Sequence, residues 1–243
     1  MSEFGINESA SWSNKPTLST RCKIVSVDGN IGSGKSTLLA NLRSAFGNYP
    51  NIIFLKEPVD DWEQIKDAEG KTMLEKFYAD QERYSFSFQM MAYISRLALL
   101  KSAIKQNPGA IIVTERSLYT DKFVFAKMLY DTGKIEDVNY QIYSKWFDTF
   151  ADECPIHQVI YVNTNPEICH NRITKRSRTG EDSIPLDYLQ LCHTYHDDMI
   201  YKFLPNENIC NNQLTLDGNV DIFENEGHLK NWIEQISRFI GLE

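Results

Sequence analysis

A glycine-rich segment near the start of the chain constrains its fold more than any other feature. The segment, Gly29-Asn30-Ile31-Gly32-Ser33-Gly34-Lys35-Ser36, fits the spacing G-x-x-x-x-G-K-[ST]. An apolar run at residues 22–27 predicts a buried strand before it, and residues 37–42 predict a helix after it. In this setting backbone N–H groups surround phosphate oxygens, and the helix dipole adds positive charge. The pattern therefore predicts a bound nucleoside triphosphate rather than a tight turn without a ligand.

Length and charge narrow the class of protein further. The chain has 243 residues and a net charge of −8, which fits one large globular domain and argues against long nucleic acid as a partner. Its five cysteines form no C-x-x-C pair, which favours a reducing compartment. No apolar run is long enough to predict a membrane span.

The first 20 residues are rich in Ser and Asn and carry few cations. They lack the apolar core of a secretory signal and the Arg-rich, acid-poor character of a mitochondrial presequence. We therefore predict a disordered tail at residues 1–20, a catalytic domain at 21–243, and a cytoplasmic location with the nucleus left open.

Short apolar runs alternate with helical patterns along the rest of the chain. The predicted strands are 22–27, 51–55, 110–113, 158–162 and 213–216, and the predicted helices are 33–46, 71–106, 120–130, 136–151, 165–177, 185–204 and 226–240. Strands that are apolar throughout indicate a parallel sheet covered on both faces. The fold class expected is α/β, with a central parallel sheet and ligands at the carboxyl ends of its strands.

The residues that follow the strands are therefore the candidates for chemistry. Lys35 and Ser36 belong to the loop after the first strand, Glu57 follows the second, and Glu115 and Arg116 follow the third. A carboxylate beside a triphosphate can hold Mg²⁺ or accept the proton of an attacking hydroxyl. Two separate carboxylates suggest that both roles are filled. The alternative for either one is a surface ion pair.

A local cation cluster stands out in this acidic chain. Residues 172–178 contain Arg172, Lys175, Arg176 and Arg178, and Gly180 follows to break the helix. Because the arginine fork donates two parallel hydrogen bonds, it suits phosphate. We interpret the segment as an arginine-rich lid over ATP. The alternative is an ordinary solvated helix face.

The long predicted helix carries Gln89 and Arg96 two turns apart, among aromatic residues. A Gln beside aromatic rings can hold a planar base by stacking and hydrogen bonding. An aromatic stripe at helical spacing is more often core, so this helix alone decides nothing.

Taken together, the motifs resemble those of the cellular deoxyribonucleoside kinases of the deoxycytidine, deoxyguanosine and deoxyadenosine type. The matching segments are residues 28–37, Glu57-Pro58-Val59 with Trp62, residues 81–89, Ser95-Arg96-Leu97, residues 115–121, and the lid with residues 184–189. The resemblance covers about residues 22–200. It departs from the family pattern at Tyr84, where Trp is common, and at Phe77, where a smaller apolar residue is common.

The resemblance implies a P-loop kinase fold with a five-stranded parallel sheet, a homodimer formed through helices, and transfer of the γ-phosphoryl of ATP to a nucleoside 5′-hydroxyl. It implies Glu57 as the general base, with Arg116 and Lys35 beside the phosphates, and Ser36 and Glu115 as Mg²⁺ ligands. The implied ATP-binding residues are Gly29, Asn30, Ile31, Gly32, Ser33, Gly34, Lys35, Ser36, Thr37, Arg172, Arg176 and Arg178. The implied nucleoside-binding residues are Glu57, Trp62, Tyr78, Phe88, Gln89, Arg96, Arg116, Asp121, Phe125 and Glu181.

Base choice is expected to depend on Arg96 and Asp121, a pair that thymidine-preferring relatives usually lack. Asp121 can accept from the exocyclic amino group of adenine or cytosine, whereas thymine presents a carbonyl there. We therefore predict good use of deoxypurines and deoxycytidine and poor use of thymidine.

Three other classes compete with this interpretation. A GTPase-like switch should carry Asn-Lys-x-Asp, which the sequence lacks, and a nucleic-acid motor fits poorly with the net charge of −8. A nucleoside monophosphate kinase would need cations for the acceptor phosphate, whereas Tyr78, Gln89 and Glu181 suit a neutral nucleoside.

Overall fold

The computed structural model describes residues 21–176, 184–222 and 226–242. Its centre is a five-stranded sheet in the order β2-β3-β1-β4-β5, with every pairing parallel. The strands are β1 (Lys23–Asp28), β2 (Ile52–Leu55), β3 (Ile111–Glu115), β4 (Gln158–Asn163) and β5 (Gln213–Asp217). The prediction of a parallel α/β sheet is confirmed, and each strand lies within a residue or two of its predicted place.

Helices connect the strands and cover both faces of the sheet. They are α1 (Lys35–Phe46), α2 (Val59–Trp62), α3 (Met73–Ala79), α4 (Gln81–Gln106), α5 (Leu118–Thr120), α6 (Lys127–Asp131), α7 (Asp137–Phe150), α8 (Pro166–Arg176), α9 (Leu186–Asp198), α10 (Leu204–Asn206) and α11 (Glu226–Ile240). A short 3₁₀ turn follows α7 at Ala151–Glu153. Two π-helical segments, Asp121–Ala126 and Met199–Phe203, join α5 to α6 and α9 to α10.

The predicted single helix over 71–106 is wrong. The chain leaves the helical conformation at Asp80, with φ −150° and ψ 82°, and α4 starts afresh at the next residue. The Asp80 side chain accepts a hydrogen bond from the Arg83 N–H at 3.2 Å, so it satisfies one orphan donor of the new helix. The short helix α2 was not predicted.

Successive side chains along each strand point to opposite faces of the sheet, and apolar side chains cover both faces. On β1, Val25 packs with apolar residues of α1 and α11, while Ile24 packs on the opposite side with residues of α4 and α7. A third cluster, which includes Trp62 and Phe88, lies around the cavity described below. Within the described residues, no helix is both long and apolar enough to cross a lipid bilayer.

Candidate active site

One cavity of about 480 Å³ collects residues from the carboxyl ends of several strands. In a parallel sheet, ligands bind outside these ends, where the strand order reverses. Here the reversal is at β1, which pairs with β3 on one side and β4 on the other. The phosphate loop, residues 29–36, leaves β1 at this point. We call the part of the cavity that this loop lines the donor end, after the phosphate donor predicted to bind there.

The phosphate loop needs glycine for two different reasons. Gly34 adopts the left-handed conformation, with φ 102°, directly before α1. A Cβ on Gly29 would lie 2.6 Å from the Val162 carbonyl oxygen, and one on Gly32 would lie 2.6 Å from that of Cys169. The loop therefore packs tightly against β4 and α8, while the first N–H groups of α1 remain without intrahelical acceptors.

Lys35 is the buried cation of the phosphate loop. Its Nζ donates to the Asn30 carbonyl oxygen at 2.6 Å, and the side chain lines the cavity. Burial and the nearby Arg116 lower the pKa of Lys35 to about 8, although Glu115 and Glu57 act in the opposite direction. A polyphosphate in the loop would restore the charge that burial disfavours.

Ser36 and Glu115 form a second pair at the donor end. The Ser36 hydroxyl donates to Glu115 Oε1 at 2.7 Å, while Glu115 Oε2 is buried without a hydrogen-bond partner. Among the described residues, no group of three or more His, Cys, Asp and Glu side chains could hold a metal by itself. One hydroxyl and one carboxylate oxygen fit Mg²⁺, which usually binds one or two protein ligands together with phosphates and waters.

Glu57 lies between two arginines, in the middle of the cavity. On one side of it is the donor end, and on the other is the part lined by aromatic side chains such as Phe88, which we call the acceptor end. Arg96 Nη2 donates to Glu57 Oε1 at 2.8 Å, and Arg116 Nη1 donates to Oε2 at 2.6 Å. Burial alone would raise the pKa of Glu57, but Arg116, Arg96 and Lys35 together lower it to about 2. The carboxylate is therefore ionised and fixed in position before any ligand binds.

Arg96 connects the strand ends through three acceptors. Its Nε donates to Asp121 Oδ2 at 2.8 Å, its Nη1 donates to the Glu115 carbonyl oxygen at 2.7 Å, and its Nη2 reaches Glu57. The predicted pairing of Arg96 with Asp121 is confirmed. Burial would lower the pKa of Arg96, but Asp121 and Glu57 outweigh it, so the guanidinium stays charged.

Aromatic side chains form the walls of the acceptor end. Phe88 stacks on Phe77 with ring centroids 4.6 Å apart and meets the edge of Trp62 at 5.7 Å. Gln89, only 2% exposed, also lines the cavity. A flat apolar slot with one amide is the arrangement expected for a planar base.

Arg116 links the charged and aromatic parts of the site. Its guanidinium lies 5.1 Å from the centroid of the Phe125 ring, a cation–π contact. Its backbone φ is 63°, which is uncommon for a residue other than glycine. Together with the bond to Glu57, this conformation keeps the cation inside the cavity rather than along β3.

The structure brings most of the predicted site residues to this cavity. Those that line it are Ile31, Gly32, Ser33, Gly34, Lys35, Ser36, Thr37, Glu57, Trp62, Tyr78, Phe88, Gln89, Glu115, Arg116, Asp121, Phe125, Arg172 and Arg176. Arg178, Glu181 and the tail at 1–20 lie outside the described residues.

Sequence reasoning missed several residues of the cavity. Tyr188 meets Tyr78 edge-to-face at 6.3 Å, and Phe77 forms the wall beneath Phe88. At the donor end, Val220 and Trp232 join from the C-terminal part of the chain. Tyr188 lies within a matching motif and Phe77 lies next to Tyr78, so the sequence offered a way to find both. No motif includes Val220 or Trp232.

Arg172 differs from the role expected of a lid residue. Its Nη1 donates to the Gly218 carbonyl oxygen at 2.9 Å and to that of Ser33 at 3.3 Å, and its Nη2 donates to that of Val220 at 3.3 Å. It therefore joins the phosphate loop to the segment after β5. Lys175 and Arg176 also line the cavity.

A phosphate loop at the switch point of a parallel sheet, next to a fixed carboxylate and a planar apolar pocket, defines a phosphotransferase of the P-loop kinase class. A family model described as deoxynucleoside kinase matches residues 25–241. The chain therefore belongs to the deoxynucleoside kinase family, whose members phosphorylate nucleosides with a nucleotide phosphate donor.

Individual relatives agree with this assignment. A probable deoxycytidine kinase of fowlpox virus is 38% identical over 178 residues, covering 72% of this chain and 70% of the relative. The deoxycytidine kinase of Rattus norvegicus is 31% identical over 249 residues, covering 91% and 92%. The mitochondrial thymidine kinase 2 of Homo sapiens is 32% identical over 181 residues, covering 74% and 64%.

Proposed function

We propose that this enzyme transfers the γ-phosphoryl of ATP to the 5′-hydroxyl of deoxyadenosine, deoxyguanosine and deoxycytidine in nucleotide salvage, and uses thymidine poorly. One observation carries the proposal. The Glu57 carboxylate is held 2.8 Å from Arg96 and 2.6 Å from Arg116, between the phosphate loop and the aromatic pocket. A hydroxyl bound to it would face the phosphate donor.

Glu57 acts as the acceptor for the 5′-hydroxyl proton. A carboxylate whose pKa is about 2 is a weak base, so it does not withdraw the proton before the transfer begins. In a loose phosphoryl-transfer transition state the attacking oxygen gains little bonding early, so the proton can leave late. Glu57 first orients the hydroxyl and later takes its proton.

The donor end binds the triphosphate. Backbone N–H groups of the loop and Lys35 surround the phosphates, and Arg116, Arg172, Arg176 and Arg178 supply further positive charge. Ser36 and Glu115 would hold Mg²⁺, which neutralises charge on the phosphate oxygens when bound. Because transfer depends on positioning and charge more than on covalent help, these groups suffice for the chemistry.

The acceptor end selects the nucleoside. Tyr78 and Glu181 hold the sugar 3′-hydroxyl, Gln89 pairs with the base, and Trp62, Phe88 and Phe125 surround it. These roles follow from the matching family positions, and the cavity lining supports those of the described residues.

Asp121 acts as the base filter because Arg96 fixes its orientation. Arg96 donates to both carboxylate oxygens, at 2.8 and 3.3 Å, and Asp121 still lines the cavity. An exocyclic amino group of adenine or cytosine can donate to it, whereas a thymine carbonyl would leave a buried carboxylate facing an acceptor. Arg96 is a donor that the O6 of guanine could use, so we expect deoxyguanosine to be used well alongside deoxyadenosine and deoxycytidine.

The test is kcat/KM for the four deoxynucleosides with ATP, on the wild type, Arg96→Met, Asp121→Ala and the double variant. Each single change should lose most activity because it strands a buried partner. The double variant should shift the ratio of thymidine to deoxycytidine use upward, although its rate falls because Arg96 also supports Glu57.

The matched control removes a half-exposed ion pair, Lys122 with Asp148, by Lys122→Met and Asp148→Ala. It should leave the ratio unchanged. Efficient thymidine use by the wild type, or an unchanged ratio in the double variant, would contradict the filter. Deoxynucleoside monophosphates belong in the same assay, because faster use of them would favour a monophosphate kinase.

An exposed apolar surface supports the expected homodimer. Val138, Ile142 and Trp146 recur at four-residue spacing on α7 and are 63%, 42% and 48% exposed, and Ile94 on α4 is 51% exposed. Such a stripe on packed helices fits a helix–helix interface. Sedimentation should show a dimer for the wild type and a monomer for Ile142→Glu. The control Ile65→Glu, at an exposed site outside α4 and α7, should remain dimeric.

The cysteines support the reducing compartment predicted from sequence. All five are free and buried in the structure. Burial raises the pKa of Cys169 to about 11 and that of Cys192 to about 12, so these two are poorly reactive thiols.

A further inference from the structure

The carbonyl of Ser33, inside the phosphate loop, is held by two side chains from elsewhere in the fold. Thr164 Oγ1 donates to it at 3.2 Å, and Arg172 Nη1 donates at 3.3 Å. Thr164 directly follows β4 and is only 1% exposed, whereas Arg172 lies on α8. Two donors on one carbonyl fix the direction in which this peptide group points.

The fixed direction matters because a peptide group is planar and trans. The N–H of Gly34 therefore points opposite to the C=O of Ser33. With the carbonyl turned toward Thr164 and Arg172, that N–H is turned away from them, at a residue that lines the cavity. Gly34 is the N-cap residue before α1, so no helical hydrogen bond sets the direction of its N–H.

A third element completes the arrangement. Gly218, just after β5, lies so close to Thr164 that a Cβ built on it would approach Thr164 Oγ1 to 2.0 Å. The Gly218 carbonyl in turn accepts from Arg172 at 2.9 Å. The absence of a side chain at Gly218 leaves room for the Thr164 hydroxyl to reach Ser33.

We propose that Thr164 is a positioning residue which, together with Arg172, orients the Ser33 peptide so that the Gly34 N–H faces the phosphates of the donor. This inference rests on the proposed use of ATP. It places a residue outside the phosphate-loop motif in control of one of that loop's hydrogen-bond donors.

The test compares Thr164→Val, which removes the hydroxyl but keeps the shape, with Thr164→Ser, which keeps the hydroxyl. ATP and deoxycytidine affinities are measured separately by titration, together with the melting temperature. Thr164→Val should weaken ATP binding about 5- to 20-fold, the size of a misaligned hydrogen bond to a charged group, and leave deoxycytidine binding within about twofold. Thr164→Ser should restore most of the ATP affinity.

A second variant, Gly218→Ala, should reproduce the loss because its methyl group displaces the Thr164 hydroxyl, and it carries the test if Thr164→Val does not fold. Adding Arg172→Gln to Thr164→Val should give less than the sum of the two effects, because both act through one carbonyl. Unchanged ATP affinity in both Thr164→Val and Gly218→Ala would overturn this inference but leave the proposed function standing. So would an equal loss of affinity for both substrates. A wild type that does not bind ATP would overturn the proposed donor, and the inference with it.

Discussion

The two ends of the cavity differ in how their charges are compensated. Toward the acceptor end, the carboxylates of Glu57 and Asp121 each accept a hydrogen bond from an arginine, at 2.6–2.8 Å. At the donor end, Glu115 Oε2 is buried without a hydrogen-bond partner, and burial lowers the pKa of Lys35. The Glu57 and Asp121 carboxylates therefore have partners within the protein, whereas Glu115 Oε2 at the donor end has none. Substitutions should affect stability at the first end and ligand dependence at the second.

The largest effect is expected from Glu57→Gln, which keeps the size of the side chain and removes the proton acceptor. General-base help is typically 10²–10⁴-fold, so kcat should fall by about that range, with nucleoside binding nearly kept. The melting temperature should also fall, because two buried arginines lose a counter-charge. Asp60→Asn, at an exposed neighbouring carboxylate, is the control. Near-normal kcat in Glu57→Gln would refute the assigned role.

The pH dependence of stability and of kcat/KM also tests whether the arginines keep Glu57 ionised. Because the pKa of Glu57 is lowered to about 2 in the folded state, its stabilising contribution is complete above the usual carboxylate pKa and is lost as pH falls toward 2. A profile of kcat/KM between pH 5 and 8 should therefore show no acidic limb that belongs to Glu57. An acidic limb present in the wild type and absent in Glu57→Gln would contradict the compensated acceptor end.

Arg176→Ala and Arg178→Ala should come next in size. If each arginine donates to phosphate oxygens that gain charge during transfer, each change should cost about 2–4 kcal/mol of transition-state stabilisation. The loss should appear in kcat more than in nucleoside affinity. Arg43→Ala on the exposed face of α1 is the matched control. Wild-type rates in both lid variants would mean that this cation cluster is only a solvated face.

Ser36→Ala and Glu115→Gln should each raise the Mg²⁺ concentration for half-maximal rate by at least about 10-fold, the smaller loss typical when a residue that only supports a metal ligand is changed. Stability should also fall, because both changes alter the buried hydrogen bond from Ser36 to Glu115 Oε1. Ser44→Ala, an exposed serine on the same helix, should keep the wild-type requirement. If the Mg²⁺ requirement is the same in all variants, the metal must use other ligands.

The smallest effect concerns Lys35. Since its pKa is lowered from 10.5 to about 8, the free enzyme loses this charge above pH 8, and ATP affinity should fall by up to about tenfold between pH 7 and 9. The unfolded chain binds the extra proton between these two pKa values, so the contribution of Lys35 to stability rises with pH there. Lys35→Arg should abolish this part of the pH dependence. A wild-type ATP affinity that is flat to pH 9 would mean that Lys35 is charged before the ligand binds.

Local patterns in the amino-acid sequence were enough to predict several parts of this protein. The phosphate loop is one contiguous segment whose chemistry belongs largely to the backbone, so its spacing identified it. Apolar runs predicted the parallel sheet. The rule that its strand ends meet at one edge placed Lys35, Glu57, Glu115 and Arg116 around one crevice. Pairing of Arg96 with Asp121 was also accessible, through the resemblance and opposite charge.

Features that depend on packing between distant segments are visible only in the folded protein. Asp80 breaks the predicted long helix because its own side chain begins a new one, which hydrophobic periodicity does not reveal. Arg96 reaches Glu57 and the Glu115 carbonyl as well as Asp121, because α4 crosses the ends of β2 and β3. Tyr188 and Trp232 enter the cavity, and Thr164 reaches the phosphate loop, through contacts between segments far apart in the chain. Such contacts are fixed by how the layers pack, and a local pattern does not encode them.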